Sequence, residues 1–124
     1  MRIILADNHP HILRTLKTVL QEESGFVLVG EAEEARSLLA LAAAEPVDLI
    51  LMDRDLPGAP IEDQIAALHA LASRPRVIVM SSDPDSSRLM LRAGADAFVS
   101  KSDQTAWLLD ALHIHAARLN PNRE

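Results

Sequence analysis

Short apolar runs alternate with amphipathic stretches five times along the chain. The first run, Arg2-Ile3-Ile4-Leu5-Ala6-Asp7, is too short for a helix and continuously apolar inside, which predicts a strand buried on both faces. Ile12, Leu13, Leu16, Val19 and Leu20 then recur at helical spacing, with Asn8 a candidate N-cap and Gly25 a candidate stop. Phe26-Val27-Leu28-Val29-Gly30 reads as a second strand, and 33–44 as a helix closed by Glu45-Pro46. Val47-Asp48-Leu49-Ile50-Leu51-Met52-Asp53 is the clearest strand and predicts a central position. Leu56-Pro57-Gly58-Ala59-Pro60 is loop chemistry, and Ile61, Ile65, Leu68 and Leu71 form the next helical stripe. Arg76-Val77-Ile78-Val79-Met80-Ser81 is the fourth strand. Asp83-Pro84 reads as an N-cap followed by proline at the first helical position, with that helix running to Gly94. Ala97-Phe98-Val99-Ser100 is the fifth strand. Ser102 or Asp103 then caps a last helix carrying Trp107, Leu108, Ala111, Leu112 and His115.

Strict strand–helix alternation predicts a parallel sheet with helices on both faces, and right-handed crossovers leave few topologies. Ligands in such folds bind beyond the carboxyl ends of the strands. Those ends carry Asp7 and Asn8, then Asp53, then Ser81 and Ser82, then Lys101, while the second strand ends on Gly30-Glu31 and adds nothing comparable. Capping of the following helix accounts for Asn8 as well as a ligand would, and for Asp83 better. It accounts poorly for Asp53, because the next helical stripe begins near Ile61, beyond two prolines. Lys101 directly follows a buried strand, where an unpaired ammonium is costly and an anionic partner is expected.

Composition narrows the field further. A chain of 124 residues is one domain, here 1–119, with 120–124 a tail or a truncated linker. A net charge of −6 argues against direct nucleic-acid binding, and 2% aromatics argue against a base-stacking platform. Without cysteine there are no disulfides, thiolate metal sites or Cys nucleophiles. No run approaches a membrane span and no signal-peptide h-region forms before Asp7, so a cytoplasmic domain without membrane contact is the default.

Acid, acid, hydroxyl and ammonium at strand ends suit phosphoryl transfer to a carboxylate, a reaction that rests on positioning and charge neutralisation. Clustered carboxylates invite a divalent cation, and oxygen ligands select Mg²⁺ over softer metals. A carboxylate then serves as nucleophile and forms an aspartyl-phosphate. Lys101 would pair with one phosphoryl oxygen and Ser81 would donate a hydrogen bond to another.

Four segments resemble, in order and spacing, the CheY-like receiver domain of two-component response regulators. They are Ile3-Ile4-Leu5-Ala6-Asp7-Asn8-His9-Pro10, Leu49-Ile50-Leu51-Met52-Asp53-Arg54-Asp55-Leu56-Pro57-Gly58, Val77-Ile78-Val79-Met80-Ser81-Ser82 and Gly94-Ala95-Asp96-Ala97-Phe98-Val99-Ser100-Lys101. The His-Pro and Gly-Ala-Asp elements resemble receivers that drive helix-turn-helix output domains. The resemblance implies a flavodoxin-like (βα)5 fold, doubly wound around a five-stranded parallel sheet. It implies Asp53 as phosphoacceptor, served by a histidine kinase or phosphotransfer protein. It implies Mg²⁺ held at Asp7, Asn8, Asp53 and the backbone carbonyl of Asp55, with Lys101 as the lysine of the family pattern. Ser81 and Phe98 would be the switch pair, re-forming the face of the fourth helix, fifth strand and fifth helix on phosphorylation. Transcriptional control follows if an output domain is attached, and homodimerisation through the fourth or fifth helix is compatible with the pattern.

One departure matters. Most receivers carry two acids where this chain has Asp7-Asn8, so one negative charge is missing from the metal position. A unit-charge pair about 4 Å apart is worth about 4 kcal/mol at an effective dielectric near 20. Asp55, at a position usually uncharged, either restores part of that charge through its side chain or a bridging water, or faces solvent in the loop. His9 and His11 read as surface or packing residues, and His113 and His115 lie on different helix faces. Two alternatives compete. A degenerate receiver would use its folded face without phosphorylation. A haloacid-dehalogenase-like phosphatase would share the Asp53-Arg54-Asp55 motif, but that motif normally lies near the N-terminus and the chain has no room for a cap domain. The chain is therefore expected not to be an enzyme.

Overall fold

The computed structural model describes residues 1–101. The expected last helix with Trp107, the reading of His113 and His115, and the tail at 120–124 lie outside the described residues. Strands β1 (Arg2–Ala6), β2 (Val27–Ala32), β3 (Leu49–Asp53), β4 (Arg76–Ser81) and β5 (Ala97–Ser100) form one sheet in the order β2-β1-β3-β4-β5. Every neighbouring pair is parallel, as the alternation of elements requires. The chain winds one way to β2 and the other way through β3, β4 and β5. The reversal opens a crevice at the carboxyl ends of β1 and β3.

Successive side chains of a strand face opposite ways, and the apolar runs serve both faces. Ile3, Leu5, Leu49, Leu51, Ile78 and Met80 pack with Leu13, Leu16 and Leu20 of α1 (Pro10–Gln21). Ile4, Ile50, Met52, Val77 and Val79 pack with Leu38 and Ala42 of α2 (Ala35–Ala44), Ile65 and Leu68 of α3 (Ile61–His69), and Met90 of α4 (Ser87–Arg92). The central strands are buried on both sides, which is why their sequences read as unbroken apolar runs.

Several ends differ from the sequence expectation. The N-cap of α1 is His9, not Asn8. Its backbone is extended, its side chain makes no cap bond, and Pro10 takes the first helical turn. The helix stops at Gln21, and Gly25, at φ +94, belongs to the turn into β2. β2 runs on to Ala32, with a bulge at Val29, because Ile3 pairs with Leu28 and Ile4 with Gly30. Asp83 does act as a cap, accepting from Asp85 N at 3.0 Å, but it caps a 3₁₀ turn, Pro84–Ser86, ahead of α4.

Two anchors fix β5. Asp96 Oδ2 accepts from Val77 N at 2.8 Å and lies 2.9 Å from His69 Nε2, while Lys101 N donates to Ser81 O at 2.8 Å. The loop after β3 is equally confined. Gly58 has φ +128, and a Cβ there would lie 2.6 Å from the Cβ of Ala35, whose N–H donates to Pro57 O at 2.8 Å. Gly58→Ala should therefore cost about 1–3 kcal/mol, read as a lower urea midpoint at unchanged slope.

Candidate functional site

The crevice between β1 and β3 gathers three charged side chains. Asp7 leaves the end of β1 and is fully buried. Asp53 is the last residue of β3 and only 3% exposed. Lys101 follows β5, and its ammonium lies 2.7 Å from Asp7 Oδ2 and 3.0 Å from Asp53 Oδ1. Burial alone would lower the Lys101 pKa, but the two carboxylates outweigh it and hold the pKa above the ordinary lysine value. Two carboxylates against one ammonium leave the cluster one unit negative. Asp53 Oδ2 is buried and has no hydrogen-bond partner among the described residues. An acceptor oxygen left bare in a buried site is costly unless something positive meets it.

The other residues named from the sequence occupy different settings. Ser81 closes β4, is buried, and its Oγ accepts from Asp83 N at 3.0 Å, which leaves its own O–H free to donate elsewhere. Phe98 is half-buried and packs against the core on the α2–α4 side of the sheet. Asn8 is exposed and lines an open cleft with Glu31, Glu33 and Glu34. Asp55 is exposed, and both its oxygens lie 3.2 Å from nitrogens of the Arg54 guanidinium, which also reaches Asp83 at 3.7 Å. The Asp55 side chain is thus compensated on the rim, and its oxygens are not among those that converge on the crevice. This arrangement gives no support to the expectation that its side chain restores the charge missing at Asn8.

His9 is at the surface, as its sequence predicts, and it also contacts the site, which the sequence reading did not include. Its N–H donates to Asp7 Oδ1 at 2.9 Å and its Nδ1 lies 2.7 Å from the same oxygen. One donor atom each from Asp7, His9 and Asp53 lies within 4.8 Å of the others. The only signal in the sequence was the spacing Asp-x-His-Pro, since proline after His9 restricts it to the extended backbone that turns it back on Asp7. Arg54 was also missed as a rim residue, because its contact with Asp83 depends on two loops meeting. The bare Asp53 oxygen beside a second buried carboxylate fits a hard divalent cation.

The chain is similar to known proteins over most of its length. A family model, the response regulator receiver domain, matches residues 3–113. The Fimbriae Z protein of Escherichia coli is 32% identical over 114 residues, which is 90% of this chain and 54% of that protein. The virulence factors putative positive transcription regulator BvgA of Bordetella pertussis is 30% identical over 112 residues, 89% of this chain and 53% of that protein. The chain thus spans about half the length of the curated relatives it matches. A CheY-like response regulator receiver domain protein from Methanospirillum hungatei superposes with a TM-score of 0.84 at 25% identity, covering 98% of each chain. The doubly wound, flavodoxin-like architecture is shared with that structure. Among the described residues no helix is long and apolar enough to cross a membrane.

Proposed function

The chain belongs to the response regulator receiver domain family, and on that premise we propose that Asp53 accepts a phosphoryl group from a histidine kinase or phosphotransfer protein and that this switches an interaction face. The observation that carries the assignment to Asp53 is its bare, buried Oδ2 beside an oxygen already paired with Lys101. A carboxylate nucleophile has no proton to lose on attack and needs no general base. Oδ2 attacks phosphorus while the nitrogen–phosphorus bond of the donor phosphohistidine breaks, and the departing imidazole takes a proton from solvent. Lys101 neutralises charge on the transferred group, and Ser81, whose Oγ is steadied by Asp83 N, donates its free O–H to it.

Mg²⁺ would be held in the same crevice by Asp7 and Asp53, with Asn8 and the Asp55 main chain at the family's remaining ligand positions. When bound it neutralises negative charge where donor phosphate and acceptor carboxylate meet. The readout runs through Ser81 and Phe98 to α4, which exposes Leu89 and Leu91 by 61% and 48%. That face suits a partner or a second copy of the chain. In a longer protein of the relatives' kind, with 1–119 as receiver and 120–124 as linker, it would act on an output domain that controls transcription. The name of the Bordetella relative supports that output, and a signalling role of this kind belongs in the cytoplasm. Receiver domains are signalling modules rather than enzymes, so the phosphatase reading is not favoured.

Acetyl phosphate with Mg²⁺ should place one base-labile phosphoryl group on the wild type and none on Asp53→Ala, and beryllofluoride should shift amide resonances around Ser81 and Phe98. Absence of both responses from the wild type would make the domain a degenerate receiver.

A further inference from the structure

We propose that His9 is itself a metal ligand, and that the crevice therefore favours divalent ions that accept imidazole nitrogen, such as Co²⁺ or Zn²⁺, more than an all-oxygen site would. The proposal shares with the phosphoryl-accepting reading only the need for a cation between Asp7 and Asp53.

Three observations converge. Asp7, His9 and Asp53 each bring a donor atom within 4.8 Å of the other two. An octahedral ion with donors about 2.1 Å away spaces adjacent ligands about 3 Å apart and opposite ones about 4.2 Å apart. Nδ1 of His9 at 2.7 Å from Asp7 Oδ1 is a few tenths of an ångström short of the adjacent spacing. Second, Asp53 Oδ2 is buried and bare, so the cluster has an acceptor that no described protein group serves. Third, the residue at the second acid position is Asn8, which is exposed and carries no charge. The further donor that clusters with the two carboxylates is the imidazole.

The ring is held where a ligand must be. Pro10 fixes the start of α1, the backbone of His9 is extended at φ −108 and ψ 104, and its N–H is bound to Asp7 Oδ1. In the structure Nδ1–H donates to Asp7 Oδ1, and ligation through Nδ1 moves that proton to the half-exposed Nε2 side of the ring. Replacing a carboxylate by imidazole changes selectivity in a definite direction. Mg²⁺ binds oxygen and loses a charge partner, whereas Co²⁺ and Zn²⁺ gain a nitrogen they bind well.

The test titrates the wild-type chain with Co²⁺ and Mg²⁺ by calorimetry and records proton spectra of the Co²⁺ form. The expected result is a strongly shifted exchangeable imidazole N–H resonance in the wild type. His9→Ala should lose that resonance and weaken Co²⁺ about tenfold, with Mg²⁺ affinity changed much less. The resonance is read on the wild type, so it does not depend on how the variant folds. If Co²⁺ binds with no shifted imidazole resonance and His9→Ala binds it equally well, His9 is no ligand and the proposal falls. The phosphoryl-accepting reading survives that result wherever acetyl phosphate still labels Asp53. If neither ion binds the wild type, the proposal also falls, and labelling of Asp53 again decides the other reading separately.

Discussion

Lys101→Met should lower the stability of the metal-free protein by about 3–5 kcal/mol and slow phosphorylation of Asp53 by acetyl phosphate about a hundredfold. Methionine keeps much of the side-chain volume, so packing changes little and the loss reports charge. The ammonium is 12% exposed and meets Asp7 at 2.7 Å and Asp53 at 3.0 Å. Without it two buried carboxylates face one another with no cation between them. Removing one partner of such a group costs more than the group contributes, because the remaining charges stay buried and unpaired. Urea denaturation measures the loss, and added Mg²⁺ should recover part of it by supplying positive charge to the same oxygens. The wild type should show a matching alkaline limb. The Lys101 pKa is raised in the folded state, so its contribution is intact below the ordinary lysine value of 10.5 and is lost as pH climbs through the raised value. Lys101→Met should lack that limb. A loss under about 1 kcal/mol would instead be the behaviour of an exposed ion pair.

The parts of this site that could be read in the sequence are those in which a buried strand ends abruptly on a polar residue. β4 and β5 have the bounds their apolar runs predict, and Ser81 and Lys101 follow from them. Asp53 was legible for the same reason, since the loop after it is too long for a cap. β2 was misjudged at its end because it is the edge strand. Its pairing continues through Glu31 and Ala32 after the apolar run stops. The contact of the exposed His9 with Asp7 was not legible because adjacency in sequence does not show which way a side chain turns. Only the extended backbone before Pro10 brings its ring onto Asp7. For Asp55 the sequence left two orientations open. Its charge was visible, but the neighbouring guanidinium that compensates it takes its direction from the rim of the fold. Opposed charges next to one another in sequence carry no record of which of them faces the crevice.

Asp53→Asn should raise the stability of the metal-free protein by about 1–2 kcal/mol, since it removes like-charge repulsion in a buried site. The amide fits the same space and leaves the Lys101–Asp7 pair in place, now balanced one against one. The wild type keeps an excess negative charge and a bare oxygen at this point, and both are what a phosphoryl acceptor requires. The same substitution should abolish the rise in Tm that Mg²⁺ gives the wild type, a gain of about 2.7 kcal/mol at a hundred times Kd. Thermal melts of both proteins, with and without Mg²⁺, separate the two effects. If the variant is no more stable without metal, water already screens the two acids from each other. If Mg²⁺ raises the Tm of both equally, the ion is not held by Asp53. The crossing expected here, with the variant more stable without the ion and the wild type favoured with it, arises only if one carboxylate is both the source of the strain and the ligand that relieves it.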